Sequence, residues 1–201
     1  MERRAACSSD ADSIVSWFPT RAEAVLWAGP SVPDPLTATW LAEQFEMGRY
    51  WVWVDDMGTV QGVFALNFKE DGSARFGRFA LSPRLRGQHL ATGLVREVIA
   101  VARSLGAKRL SLGVYGSNRK AKHVYESVGF QISSERMAEE DSSGVNYEMG
   151  LELLGTYGNW LHFGRKKHRI QVRQCLQLIP LRGNHWLLRG RLLPWRCLLL
   201  R

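Results

Sequence analysis

The chain has 201 residues, 45% of them hydrophobic and 23% charged, a balance that fits one globular domain with a sizeable core and excludes a disordered or fibrous class. The formal net charge of +8 is unevenly placed: residues 154–201 hold ten Lys/Arg and no acid, leaving 17 basic and 19 acidic side chains in 1–153, a net of −2. Whole-chain basicity is therefore no argument for a nucleic-acid partner. No apolar run reaches the ~18–20 residues of a membrane span. The first twelve residues lack the apolar core of a secretory signal. Cys7, Cys175 and Cys197 form no C-x-x-C pair, so a reduced, cytoplasmic setting is expected.

In chain order, the first expected element is a short helix capped by Asp12 and running to Trp17, broken by Pro19. Thr20-Arg21-Ala22-Glu23 has capping-box spacing and opens a second helix through Trp27. Gly29-Pro30, Pro33 and Pro35 make a loop, and Thr37 caps a third helix from Ala38 to Met47. Strands follow at 49–55, 60–68 and 74–81, joined by turns at Asp56-Met57-Gly58 and Asp71-Gly72 to give a meander. Leu90, Leu94, Val98 and Leu105, with Ile99 and Ala102 beside them, recur at helical spacing, and Gly106 ends that helix. Lys108 to Val114 reads as a strand and Asn118 to Ser127 as a helix closed by Gly129. Two last strands, 130–137 and 145–153, flank the acidic loop 139–144. The sum is a mixed α/β domain ending near residue 153.

Two segments carry chemistry. The first, Leu81 to Thr92, joins a strand directly to a helix. A helix N-terminus with free N–H groups, Gly87 beside it and Arg84 and Arg86 at the mouth suits a pyrophosphate, or is an ordinary turn with two solvated arginines. Neither a P-loop nor a dinucleotide fingerprint is present. The second segment holds Asn118, Ala121, Tyr125, Gly129 and Phe130. Tyr125 lies two helical turns beyond Asn118, on the same face, and at neutral pH a phenol is protonated and can act as a general acid. As a structural residue it would be core with a bonded hydroxyl.

Together these segments resemble the GNAT superfamily of acetyl-CoA-dependent N-acetyltransferases. Arg86-Gly87-Gln88-His89-Leu90-Ala91 matches [RQ]-x-x-G-x-[GA] with its glycine replaced, and residues 118–130 follow N-x-x-A-x-x-x-Y-x-x-x-G-F. The resemblance covers about 1–153 and implies a mostly antiparallel sheet of about six or seven strands flanked by helices. It implies that the third strand splays from the fourth, with acetyl-CoA's arm in the gap on Phe79, Ala80 and Leu81 and its pyrophosphate on Arg86, Gly87, Gln88, His89, Leu90, Ala91 and Thr92. Asn118 would orient the arm and Tyr125 would protonate the leaving thiolate. No metal is implied.

Two departures qualify this. His89 stands where the family usually has its middle glycine; a right-handed backbone there would tolerate it. Gly113 stands where the branch that acetylates ribosomal-protein N-termini carries a glutamate base. Glu43, Glu46, Asp55, Asp56 and Glu148 are substitutes, each also readable as a solvated or turn residue, and Arg78 either meets a substrate carboxylate or is an exposed strand residue.

The expected activity is acetyl transfer from acetyl-CoA to an amine, on a small molecule or a protein N-terminus, by direct transfer in a ternary complex. The alternatives are an acyl-CoA sensor without turnover, or an RNA- or membrane-binding protein acting through 154–201. That extension has no clean helix or strand period over 186–201 and reads as poorly structured. A zinc site from His162, His168, Cys175 and His185 fits no standard ligand spacing. Oligomeric state is not read from the sequence.

Overall fold

The computed structural model describes residues 1–153, and the backbone of 179–180, 185–188 and 191–194. Contacts divide the chain into two units, Met1–Tyr157 and Gly158–Arg201. The first unit is built on a seven-stranded sheet in the order β1-β2-β3-β4-β5-β7-β6, with β1 Glu2–Ala5, β2 Tyr50–Val54, β3 Val60–Phe68, β4 Ser73–Leu81, β5 Arg109–Tyr115, β6 Gln131–Met137 and β7 Val145–Glu152. Only the β4–β5 pairing is parallel. Five helices flank it: α1 Ala11–Val15, α2 Arg21–Ala28, α3 Ala38–Glu46, α4 Ala91–Ser104 and α5 Arg119–Ser127.

Side-chain alternation makes two cores, one per face. Trp53, Phe64 and Leu66 face α4, against Val95, Val98 and Ala102. Val52, Val54, Val63 and Ala65 face the layer of α1, α2 and α3, against Ile14, Val25, Leu41 and Phe45. Covered on both faces, β2 and β3 read as continuous apolar runs. Trp53 is fully enclosed, and its indole Nε1 donates to Glu97 on α4 at 3.0 Å.

Local signals were read at most ends. Thr20 caps α2, its hydroxyl accepting from the Glu23 amide at 3.3 Å, while the Glu23 carboxylate accepts from the Thr20 amide at 3.2 Å. Such a cap is worth about 1 kcal/mol. Thr37 caps α3 through the Trp40 amide. Two expectations differ. The residue before α1 is Asp10, not Asp12; a 3-10 turn at Ser8–Asp10 precedes the helix, and Asp10 is buried in a double contact with Arg4, 2.7 Å to each oxygen. Strand β1 was not anticipated. Glu-Arg-Arg-Ala has no apolar alternation, and β1 is held at the sheet edge by β2 and by Arg3 donating to Glu97 at 2.7 Å.

In the second unit, Arg191–Pro194 pairs antiparallel with His185–Leu188, which pairs with Ile179–Pro180. Backbone pairing does not require the two-residue alternation that this segment lacks. His162, His168 and Cys175 of the considered zinc set lie outside the described residues, as does the side chain of His185.

Candidate functional site

The site begins where two strands part. β4 and β5 pair at Ser73↔Arg109, Ala74↔Leu110 and Arg75↔Ser111, and there the register ends. β5 continues on β7 to Tyr115↔Asn146. From Phe76 to Leu81 the β5 side of β4 has no strand partner among the described residues, so its backbone groups are available to a ligand.

A cleft of about 220 Å³ lies at the opened end, lined by Phe79, Ala80, Leu81, Arg86, Gly87, His89, Leu90, Ala91 and Tyr125. Leu85, Lys120, Ala121 and Val124, none of them expected as ligand-contacting residues, complete it. Lys120 follows two residues after Asn118 on an exposed helix face and carried no signal that separated it from a solvated lysine. Three expected residues do not line this cleft. Gln88 turns its amide to the Arg84 carbonyl at 2.6 Å. Thr92 sits in the first turn of α4. Asn118 caps α5, its Oδ1 accepting from the Ala121 amide at 3.2 Å, and lines a neighbouring cleft of about 320 Å³ that shares Phe79, Ala80, Leu81 and Arg86.

The turn before α4 is built for close approach. Leu90, the residue before the helix, gives no side-chain cap, so the first-turn N–H groups of α4 remain free. Gly87 has φ +78° and open space around its would-be Cβ. His89 has φ +58°, so the right-handed condition under which a side chain is tolerated there is not met: the histidine adopts the left-handed backbone that a glycine would take most cheaply. Arg86 donates to the Leu81 carbonyl at 3.1 Å and the Trp17 carbonyl at 3.3 Å, pinning the turn to β4 and to the turn after α1.

Tyr125 faces this cleft from α5, wedged edge-on between Phe76 (5.9 Å) and Phe130 (6.0 Å). Burial pushes its phenol above the ordinary value, so it is protonated across the physiological range.

Beyond the splay, Gly113 and Glu148 are directly opposed on β5 and β7. A Cβ on Gly113 would stand 2.8 Å from Arg75 Nη2, 3.3 Å from Asn146 Oδ1 and 3.5 Å from Glu148 Oε1. The space a glutamate would need is filled by the Arg75–Glu148 pair, 2.7 and 3.0 Å. Burial raises the Glu148 carboxyl, but Arg75 and then Arg136 outweigh it and hold the group below the usual carboxylate range. Glu148 is thus a poor base, not the solvated strand residue considered from sequence. Asp55 is spent on the β2–β3 turn, accepting from Met57, Thr59 and Gln61, and Glu43, Glu46 and Asp56 are exposed.

Arg78 differs most from an exposed strand residue. The β3–β4 register slips between Val63↔Ala80 and Ala65↔Gly77, and Arg78 occupies that bulge at φ +52°. Its guanidinium lies 5.2 Å from the Trp40 ring and 5.9 Å from the Trp27 ring. It lines a third cavity, of about 330 Å³, with Trp27, Gly113, Glu140 and Asn146.

A family model described as the acetyltransferase (GNAT) family matches residues 14–130, which run from α1 through the end of the Tyr125 helix. The chain belongs to the GNAT acetyltransferase family. GNAT relatives include an uncharacterized N-acetyltransferase of Mycobacterium tuberculosis, 32% identical over 39% of this chain and 51% of that protein. Another, from Bacillus subtilis, is 28% identical over 47% and 53%. The chain spans about half the length of these curated relatives. The GNAT fold recurs in a Sinorhizobium meliloti phosphinothricin acetyltransferase in complex with acetyl-CoA (TM-score 0.62, 20% identity, 76% of this chain and 88% of that one). It recurs also in a Vibrio cholerae spermidine N-acetyltransferase in complex with CoA and spermine (TM-score 0.62, 19% identity, 75% and 94%). Among the described residues no helix is long and apolar enough to cross a membrane.

Proposed function

We propose that the chain is an acetyl-CoA-dependent N-acetyltransferase, working by direct transfer to an amine within a ternary complex, with 1–153 as the catalytic domain and 154–201 outside it. The observation that carries this reading is the cleft at the parted end of β4. Phe79, Ala80 and Leu81 form one wall, the uncapped start of α4 forms its floor, and Tyr125 stands opposite. The residues fit the ligand: free amides at a helix N-terminus suit phosphates, and an unpaired strand edge suits the amide-bearing arm.

When bound, acetyl-CoA supplies the thioester. In this reading one β4 backbone N–H within Phe79–Leu81, on the parted side, donates to the oxygen that becomes negative as the amine adds. Tyr125 gives its proton to the sulfur as the C–S bond breaks. The amine approaches from the side of the two clefts that share Leu26 and Trp27. The setting is proposed to be cytoplasmic, where thiols such as exposed Cys7 stay reduced.

A panel of amines incubated with acetyl-CoA and read by mass spectrometry tests the activity, after calorimetry with acetyl-CoA. Absence of binding at millimolar ligand refutes the reading. A sensor without turnover is the second reading, favoured by the neutralised Glu148; binding with no acetylated amine supports it.

A further inference from the structure

Three buried side-chain polar atoms among the described residues lack a hydrogen-bond partner: Trp27 Nε1, Arg78 Nη1 and Asn146 Oδ1. They come from α2, β4 and β7, far apart in sequence, yet all three residues line the same cavity of about 330 Å³. Leaving such an atom unpaired forfeits its bond to water with nothing in return, and folded proteins pair nearly all of them. Their convergence on one cavity marks it as a site completed by a ligand.

The charges on that wall say which ligand. Arg75 is neutralised by Glu148. Arg78 has no carboxylate within ion-pair reach among the described residues; it rests on the rings of Trp27 and Trp40. Glu140 also faces the cavity and has no cation partner among the described residues; its contact is the Tyr115 hydroxyl, which donates to Oε1 at 2.9 Å. The loop that carries Glu140 is fastened by Asp141, which accepts from the Ser117 amide at 3.2 Å and from the Ser143 amide at 3.1 Å. One uncompensated cation and one uncompensated anion therefore share a cavity at the small end of the ~300–1,000 Å³ range of small-molecule sites.

We propose that the acceptor is a small molecule bearing a carboxylate and a primary amine close together, an α-amino acid or near relative. The carboxylate is received by Arg78 and Trp27 Nε1, and the amine by Glu140 and Asn146 Oδ1. This rests on the acetyltransferase reading and narrows its acceptor. Guanidinium and carboxylate match in charge and geometry, and the flanking indoles exclude the water that would screen them. The three orphaned atoms are buried, so contact with the ligand requires their side chains to turn toward it. For transfer, the ammonium loses one proton to Glu140 or to water, its nitrogen bonds the acetyl carbon, the C–S bond breaks, the thiolate takes a proton from Tyr125, and the surplus proton on the new amide nitrogen passes through water to the Tyr125 phenolate and restores the phenol.

The test uses the full-length chain, acetyl-CoA and matched trios: an L-amino acid, its amide, and the amine lacking the carboxyl group, for several side chains. The readout is kcat/KM from thiol release. A preference of tenfold or more for the acid in at least one trio is expected, abolished by Arg78→Met and partly kept by Arg78→Lys. Glu140→Gln, on an exposed loop residue, raises KM for every member of a trio, since each carries the amine, and guards against a misfolded Arg78 variant. Turnover with no preference for the acid in any trio, a preference that survives Arg78→Met, or a KM unmoved by Glu140→Gln overturns the inference and leaves the transferase reading standing. Failure to bind acetyl-CoA overturns the transferase reading first.

Discussion

The turn before α4 places two residues in left-handed backbone within three positions, and only one is glycine. Gly87 at φ +78° has nothing within 4 Å of a would-be Cβ, so Gly87→Ala meets no clash and reports backbone conformation alone. A Cβ in that region costs about 1–2 kcal/mol. The alanine chain also has less unfolded entropy to lose, which returns about 0.4–1 kcal/mol. The net expectation for Gly87→Ala is a loss of about 0.5–1 kcal/mol, or roughly 1–4 °C in Tm for a domain of this size. His89→Gly runs the same arithmetic backwards. Histidine enters left-handed backbone more readily than most residues, so its cost is near the lower bound, and the gain from relief is almost cancelled by glycine's entropy. His89→Gly should therefore change Tm by no more than about 2 °C and the Kd for acetyl-CoA by no more than about threefold, since threefold is about 0.65 kcal/mol. His89→Val, β-branched, should be worse than either. Differential scanning calorimetry and titration of the three variants check the set. A Tm drop beyond about 4 °C for His89→Gly, or full stability for His89→Val, would refute the left-handed assignment and the view that the histidine side chain is dispensable.

Tyr125→Phe should lower kcat by about 10²–10⁴ while KM and acetyl-CoA affinity stay within about threefold, because only a hydroxyl is removed; unchanged kcat in steady-state assay removes Tyr125 as the acid. Glu148 has a folded-state pKa below its unfolded value, so its contribution to stability is present above the ordinary carboxylate pKa and is lost as pH falls through the folded value. Melts from pH 6 to pH 3 should show Glu148→Gln less stable than the parent at pH 6, with the gap closing toward pH 3; a gap that widens on acidification contradicts the ion-pair account. Gly62→Ala would bring a Cβ to 2.9 Å from the Trp53 ring, 3.0 Å from Leu81 and 3.3 Å from the Ala80 carbonyl. It should cost about 1–3 kcal/mol in urea unfolding and raise KM for acetyl-CoA, as Ala80 and Leu81 line the cleft.

Much of this fold was legible because its ends are marked locally. Thr20 and Thr37 cap the helices they were expected to cap, and the meander turns fall at the expected glycines. The cleft at the parted end of β4 was legible because its lining falls within two contiguous runs, 79–92 and 118–130. What was not legible is made by pairing across the chain. β1 exists only through β2 and Glu97. The left-handed state of Arg78 follows from a register slip between β3 and β4, which no pattern within β4 announces. The wall proposed for the acceptor joins Trp27, Arg78 and the 140–146 stretch with Glu140 and Asn146, three distant segments, and Glu140 read as one acid of an acidic loop. Leu105, at helical spacing from Val98, is partly exposed because it lies just past the end of α4.

The short β4–β5 joint bears on motion. Three register pairs hold the four-stranded half of the sheet to the three-stranded half, against seven between β5 and β7. Amides along Phe76–Leu81 on the parted side have no ladder to protect them, so they should exchange with solvent faster than those of β3 or β5. A ligand arm bonded along that edge would act as a temporary strand. It would slow exchange on both halves together and lift the melting temperature with the logarithm of its concentration.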